Sequence, residues 1–460
     1  MNLKLNSLTL LSSPATHNSL LTTELVSGNN IQFSQEVKDY LHKYPNTKHV
    51  DIYINDISGA FRGKRMTAAS LMSLGKGAYF PQSVYSMDKE GKVMSTEDNV
   101  MAANEPDRIC MPVEGTLRPG GYNPDENAQI LLTMKDDHGA PYVLEPRVIL
   151  RNILRKFHEH GLYPVIAPEI EFYLEDSQNR NIHPSGCFNL AVPSEYTRFI
   201  EELETMATLQ NLPLSGIVCE AEAGQFELNL LHSEHVIDIC ENILALRRLT
   251  SIVAHKFGFN ANFMAKPYSE MSGSGLHFHI SLNDKQGNNV FSSPDENPNE
   301  MMRLCLAGML HLMPASIAIL APNVNSFRRL RKTLHESLFN SWGVNQRSAA
   351  LRIPCSSEMH RRIEYRLTGS DANPYLAMAT ILTGMLYGLE KTEDEPLSNF
   401  TSCSPVLPLF QLHAIDEFRQ CQYLTTALGE EFSKQWTQNK LSELEMFESI
   451  VTPGENFFSF

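Results

Sequence analysis

Two glutamates, Glu169 and Glu171, alternate with apolar residues in APEIEFYL, residues 167 to 174. The same period recurs in GSGLHFHISL, where His277 and His279 fall on one side of a strand and Phe278 and Ile280 on the other. In RRIEYRL, Arg362, Glu364 and Arg366 alternate with Ile363, Tyr365 and Leu367, and the neighbouring run ALRIP adds Arg352. CEAEAGQFELNL offers Glu220 and, seven residues on, Glu227 at the start of another such strand. Side chains of a β-strand point alternately to its two faces, so each run pairs a polar face with an apolar one. Any one of them fits a half-solvated antiparallel strand. Together they describe an open or barrel-like sheet whose concave face holds several glutamates, two histidines and several arginines.

Carboxylates crowded in this way repel and raise one another's pKa, so the face needs counter-charge to stay ionised. Hard carboxylate oxygens with an imidazole suit Mg²⁺ or Mn²⁺, whereas structural zinc favours Cys and His. Arginines on the same floor suit phosphate oxygens. With the Gly-rich turn from Ser272 to Gly275, this points to phosphoryl transfer from a nucleotide. A P-loop is excluded: GAFRGKR (59–65) has one residue too few between its glycines and Arg where Ser or Thr would hold Mg²⁺.

The elements that must position these residues lie in a chain of 460 residues, long enough for two or three domains. A hydrophobic content of 42% with 20% charged residues fits a globular protein. The 38 basic and 53 acidic residues give a net charge of −15, which opposes general affinity for nucleic acid or an anionic membrane. The basic cluster Arg328, Arg329, Arg331 and Lys332 reads as a solvated face or, in functional use, as a site for small anionic ligands. Eight scattered cysteines without C-x-x-C indicate neither a disulfide framework nor a zinc ribbon and fit a reducing cytoplasm. Residues 304–327 carry no formal charge, but His311, Pro314, Ser316, Asn323 and Asn325 make a buried helix and turn the better reading than a membrane span.

Residues 1–31 read as a flexible extension with a poor signal-peptide core. SQEVKDYLHKYP is a short helix stopped by Pro45, and KHVDIYIND and AQILLTM are strands, so residues 32–140 form a small sheet-rich unit. From Glu145 the pattern changes to an amphipathic helix opened by Pro146, then the APEIEFYL strand. Further strands near 225, 261, 277, 350 and 362 alternate with helices near 196–210, 234–255 and 299–320. The unit from 145 to 460 is α+β, with a largely helical last third.

The order E-x-E, E-x6-E in a G-Q-x-E context, G-S-G-x-H-x-H, R-S-A-x-x-R-I-P, R-R-x-E-x-R and D-A-N-P-Y-L resembles the type I glutamine synthetase family over about residues 34 to 450. NDISGAFRGKR, FMAKPY, LAPNVNSFRRL and ASLMSLGKGAYFP are most similar to its γ-glutamylputrescine synthetase branch, which joins glutamate to an amine. The resemblance implies a small N-terminal β-grasp domain and a larger catalytic domain with a curved antiparallel sheet flanked by helices. It implies a homo-oligomer of two stacked hexameric rings, a dodecamer with shared sites. Its substrates would be L-glutamate, ATP and an amine such as putrescine, joined through a γ-glutamyl phosphate, with two to three Mg²⁺ or Mn²⁺ ions per site. By motif, Glu171, Glu220 and Glu227 would hold one metal, and Glu169, His277 and Glu364 the other. Arg329, Arg347, Arg352 and Arg366 would bind the glutamate carboxylate and ATP phosphates, with His279 and Ser281 near the nucleotide and Gly273 in the glutamate-binding turn. Asp56 would serve the amine site of a neighbouring copy, and Asp56 and Glu220 are the candidates to take the amine's proton.

Three departures bear on this. His335, with Glu336 beside it, stands where glutamine synthetases carry a flap glutamate, and the flap (331–340) lacks the usual Pro and Gly. Ser272 replaces the usual Asn. Residues 177–195 are short beside the polyamine branch. The alternatives are a glutamine synthetase using ammonium, a catalytically silent member of the fold, and a guanidino kinase, which would not predict Asp56. The intact set of six metal positions disfavours the silent reading.

Overall fold

The computed structural model describes residues 26–88, 90–93, 106–178, 186–190, 192–294, 297–332, 341–391 and 407–452. Helix α1 (Val26–Lys43) leads into a six-stranded sheet. Its strands are β1 (His49–Asn55), β2 (Phe61–Thr67), β3 (Ala78–Pro81), β4 (Asp107–Pro112), β5 (Arg118–Pro119) and β6 (Asn127–Met134). The main path runs β2-β1-β6-β4-β3, with β5 on β6, and β1 and β6 form its parallel pair. The alternation in HVDIYIN accounts for β1: Val50, Ile52 and Ile54 are buried on one face. Helix α1 begins at Val26, inside the stretch read as an extension. Gly28, Asn29 and Asn30 are weak helix formers, which hid its first turns from a propensity reading.

The second sheet carries the polar faces. It is built from β7 (Tyr163–Asp176), β8 (Leu214–Cys219), β9 (Gln225–Leu230), β10 (Phe259–Asn262), β11 (Leu276–Asn283), β12 (Trp342–Val344), β13 (Leu351–Ile353) and β14 (Ile363–Tyr365). Their order is β12-β13-β14-β11-β7-β9-β8, with β10 on the far end of β7. All pairs are antiparallel except β12 with β13. The long strand β7 is central because it contacts β9 along one edge and β11, then β10, along the other.

Helices cover the apolar side. They are α2 (Pro146–Glu159), α3 (Ser194–Leu209), α4 (Val236–Lys256), α5 (Glu300–Leu320), α6 (Val324–Lys332), α7 (Pro374–Glu390), α8 (Gln411–Gln420), α9 (Gln422–Leu428) and α10 (Glu430–Glu448). Pro146 occupies the first turn of α2, where its missing N–H costs nothing. Both sheets and these helices share one continuous hydrophobic core. Helix α5 is apolar enough to cross a membrane, but its most apolar window is 78% buried inside the protein. It packs on α7 through three glycines, because a Cβ at Gly388 would overlap the Leu304 carbonyl and one at Gly308 the Gly384 carbonyl.

Polar contacts tie the first sheet to the second unit. The Arg248 guanidinium lies over Tyr53 and Phe61 and donates to Gln129. Asn373, at the N-cap of α7, donates to the carbonyls of Asp56 and Ile57 at 3.2 and 3.1 Å.

The glycine contact between α5 and α7 makes a direct prediction. Gly388→Val forces the helices apart and lowers stability by about 2 kcal/mol or more, as overpacking does. Thermal unfolding of the purified variant measures it; an unchanged melting temperature contradicts the close approach.

Candidate active site

The floor of the site is a set of cross-strand neighbours. On β7, Ile170 and Phe172 are fully buried in the core, so register forces Glu169 and Glu171 onto the opposite face. Glu169 pairs with His277 on β11 and Asn229 on β9, and Glu171 pairs with Glu227. His279 pairs with Glu364 on β14, which pairs in turn with Arg352 on β13. Five strands thus deliver their polar residues to one surface.

The side chains meet there. Glu169 Oε1 lies 2.9 Å from His279 Nε2, and Glu169 Oε2 lies 3.5 Å from His277 Nδ1. Glu171 Oε1 is 3.9 Å from the same Nδ1, while Glu171 Oε2 accepts the Gly275 amide at 2.7 Å. Asn229 donates to Glu227 at 3.0 Å. Arg352 donates to one oxygen of Glu364 at 2.9 Å, and Arg366 donates to the other.

Two groups of ligand atoms lie within 4.8 Å of one another: Glu169, Glu227 and His277, and Glu169, His279 and Glu364. These groups differ from the two expected sets. Glu169 is common to both, and His279, expected near the nucleotide, stands beside Glu364. Glu220 follows β8, half-buried, its amide bonded to the Gln225 carbonyl at 2.9 Å.

The electrostatics show what the crowding costs. Burial, reinforced by Glu169, Glu171 and Glu220 against the opposing His277, pushes the Glu227 carboxyl up to about 8. Burial and then Glu171 raise Glu220. For Glu169 burial also acts upward, but the adjacent imidazoles of His277 and His279 outweigh it and hold the carboxylate well below its ordinary range. Burial likewise opposes ionisation of Glu364, and Arg366 with the two histidines reverses that. Glu169 and Glu364 are thus biased toward the ionised form, whereas Glu227 keeps its proton near neutrality. The donors present fit a divalent cation: hard carboxylate oxygens plus one imidazole whose Nδ1 faces them and whose buried Nε2 has no hydrogen-bond partner among the described residues.

Arg352 and Arg366 reach the floor through Glu364. Arg347 is exposed on the turn after β12, and Ser281 is half-buried two residues beyond His279. Gly273 belongs to a tight turn: a Cβ there would come within 2.6 Å of the Ala265 carbonyl and 2.7 Å of the Arg329 side chain. The solvated-face reading is corrected at Arg329, which is 1% exposed, its guanidinium donating to the carbonyls of Leu367, Thr368 and Arg366. Asp56 is fully buried within its own chain. Its Oδ1 accepts the amides of Ser58 and Ala60 at 2.9 Å each, and its Oδ2 accepts Arg62 Nε at 2.8 Å, so the carboxylate is used in closing its own hairpin. His335 and Glu336 lie outside the described residues, as does the flap from 333 to 340.

Three contributors escaped the sequence reading. Glu222 accepts both the amide and the hydroxyl of Ser272, at 2.9 and 3.0 Å, and so fixes the residue that replaces the usual Asn. Gln225 donates to the Gly273 carbonyl at 3.0 Å, and the Gly275 amide holds Glu171. The G-Q-x-E context hinted at Gln225; nothing in the sequence marked Glu222.

Comparison with known proteins agrees with this architecture. Residues 143–457 match the model of the glutamine synthetase catalytic domain. The chain is 41% identical to γ-glutamylputrescine synthetase PuuA of Escherichia coli (strain K12), covering 92% of this chain and 94% of that protein. It is 29% identical to a glutamate–isopropylamine ligase of a Pseudomonas species, covering 91% and 96%. A solved structure of apo GmaS superposes with a TM-score of 0.78 at 22% identity, covering 91% of this chain and 98% of that one, which bears on the fold alone. By the match over its catalytic half and the full-length relationship, this chain belongs to the glutamine synthetase family.

Proposed function

We propose that the protein is an ATP-dependent glutamate–amine ligase whose acceptor is a diamine such as putrescine. The observation that carries this reading is the shared floor of Glu169, Glu171, Glu227, His277 and Glu364, in a chain 41% identical to a γ-glutamylputrescine synthetase over nearly its whole length. Ligases of the family use ATP and a divalent metal. In this chain Glu169, Glu171, Glu220, Glu227, His277 and Glu364 would hold the cations. Bound there, Mg²⁺ or Mn²⁺ offsets the negative charge of the phosphoryl group passing from ATP to the γ-carboxylate of glutamate.

The protein's own groups have separable tasks. Arg352 and Arg366 keep the buried Glu364 ionised from both sides. Arg347, exposed at the rim, suits an anionic carboxylate or phosphate. The Gly273 turn, clamped by Gln225 from one side and by Glu222 through Ser272, gives glutamate a rigid backbone seat. An alkylammonium has a pKa near roughly 10, like lysine, and must lose a proton before it attacks the acyl phosphate. Asp56 and Glu220 are the candidates to accept that proton in this reading.

The acceptor test is ADP release at saturating glutamate and Mg²⁺ across ammonium, butylamine and putrescine. A buried methylene is worth about 0.8 kcal/mol, so four of them favour putrescine over ammonium by about 3 kcal/mol, or roughly 10²-fold in kcat/KM. Butylamine carries the same four carbons, so any advantage of putrescine over it measures recognition of the second ammonium. Ammonium as the best acceptor would make the protein a glutamine synthetase instead.

The floor also predicts a pH dependence. Glu227 keeps its proton to about 8 in the folded, metal-free protein, against roughly 4.3 for an unfolded glutamate. A raised native pKa stabilises the fold fully below the unfolded value, and that contribution is lost as pH rises toward about 8. Metal-free protein therefore melts at progressively lower temperature across this window. Glu227→Gln, which cannot ionise, melts with a flatter pH profile and has no ligase turnover. A variant that turns over normally, or one whose melting follows the wild-type profile, removes Glu227 from the cation set.

A further inference from the structure

We propose that Arg362 fixes the ring tautomer of His279 and through it orients Glu169, so that Arg362 and His279 are positioning residues behind the cation site. The inference rests on the ligase reading only in assuming that a divalent cation binds this floor.

Distance alone does not separate the two histidines, because each closes a group with Glu169 and one further carboxylate. The second neighbour of each ring does. Arg362 Nε donates to His279 Nδ1 at 3.1 Å. A guanidinium has five donors, no acceptor and no accessible neutral form, so the nitrogen facing it must offer a lone pair. The hydrogen of the ring then lies on Nε2, which stands 2.9 Å from Glu169 Oε1 and donates to it. A ring nitrogen that carries hydrogen has no lone pair for a metal. His279 Nε2 is therefore closed to ligation, although it lies among carboxylate oxygens.

His277 is in the opposite situation. Its Nε2 is buried without a hydrogen-bond partner among the described residues and can carry the hydrogen. Its Nδ1 then turns a lone pair toward Glu169 Oε2 at 3.5 Å and Glu171 Oε1 at 3.9 Å. The two oxygens of Glu169 thus do different work: Oε1 is held by His279, and Oε2 remains for the cation.

Arg362, His279 and Glu169 form a relay over three adjacent strands, from the residue preceding β14, through β11, to β7. Outer partners of this kind orient a ligating carboxylate, and their loss costs 10- to 100-fold in metal affinity as an order of magnitude. The alternation of Arg362 with Glu364 and Arg366 placed all three on one face, but only the register of β11 against β14 brings Arg362 to His279.

The test has two arms. Magic-angle-spinning NMR of metal-free protein labelled with ¹⁵N-histidine reads the tautomer, with the His279 signal assigned by its loss in His279→Gln. The expected wild-type state is an unprotonated Nδ1 and a protonated Nε2, retained in Arg362→Lys and lost as the single form in Arg362→Ala. Mn²⁺ titration followed by electron paramagnetic resonance counts the sites. His279→Gln, whose amide can still donate to Glu169, keeps the number of sites; His279→Ala keeps the number but binds about 10- to 100-fold more weakly; His277→Ala loses one. A protonated Nδ1 in the wild type, or a missing Mn²⁺ site in His279→Gln, overturns the proposal. Failure of the ligase reading would appear separately, as the absence of amine-dependent ADP release, and would leave the metal-free tautomer as it stands.

Discussion

Carboxylates placed within a few ångströms on a water-poor surface cannot all be ionised unless positive charge lies among them. The centre of the larger sheet is arranged around that constraint. Glu169 and Glu364 are held ionised by histidine and arginine partners, whereas Glu227 and Glu220, further from those partners, are pushed toward protonation. A divalent cation held there would remove the asymmetry, and its charge would then face a phosphoryl group in transfer.

The scaffold is what makes such crowding affordable. Side-chain alternation on β7, β9, β11, β13 and β14 puts the polar residues on one face only because the other face is packed under helices. Slipping any of these strands by one residue would exchange charge for Ile170, Phe278 or Ile363 and bury the carboxylates in the core. Where the floor meets the turn at Gly273 and Gly275, space rather than charge decides. Side chains at either position would run into Arg329, which is why an arginine suited to binding an anion is found fully buried and bonded to main-chain carbonyls.

Much of this was legible in the sequence. The period-two runs at 167–174, 273–282 and 361–367 placed Glu169, Glu171, His277, His279, Glu364 and Arg366 on one surface, because strand alternation is a property of the backbone and needs no knowledge of neighbours. What the sequence did not disclose depends on partners across space. Asp56 is claimed by Arg62, six residues on, once the β1–β2 hairpin closes. Glu222 is unmarked in the sequence and gains its role only where the Ser272 loop folds against it. The division of labour between His277 and His279 follows from which ring meets Arg362, a contact set by the register of β11 and β14. Motif spacing assigned ligand sets, but side-chain torsions decided which oxygens and nitrogens meet.

The central claim is that cation binding and deprotonation of this floor are one event. It is tested most directly by calorimetric titration of the metal-free protein with Mn²⁺ at pH 7 in buffers of different ionisation enthalpy, which counts the protons released per chain. Because Glu227 titrates at about 8 in the metal-free fold and a ligating carboxylate must be ionised, about one proton should leave as the sites fill, and Glu227→Gln should abolish that release. Saturable Mn²⁺ binding with no proton release from the wild-type protein would contradict it.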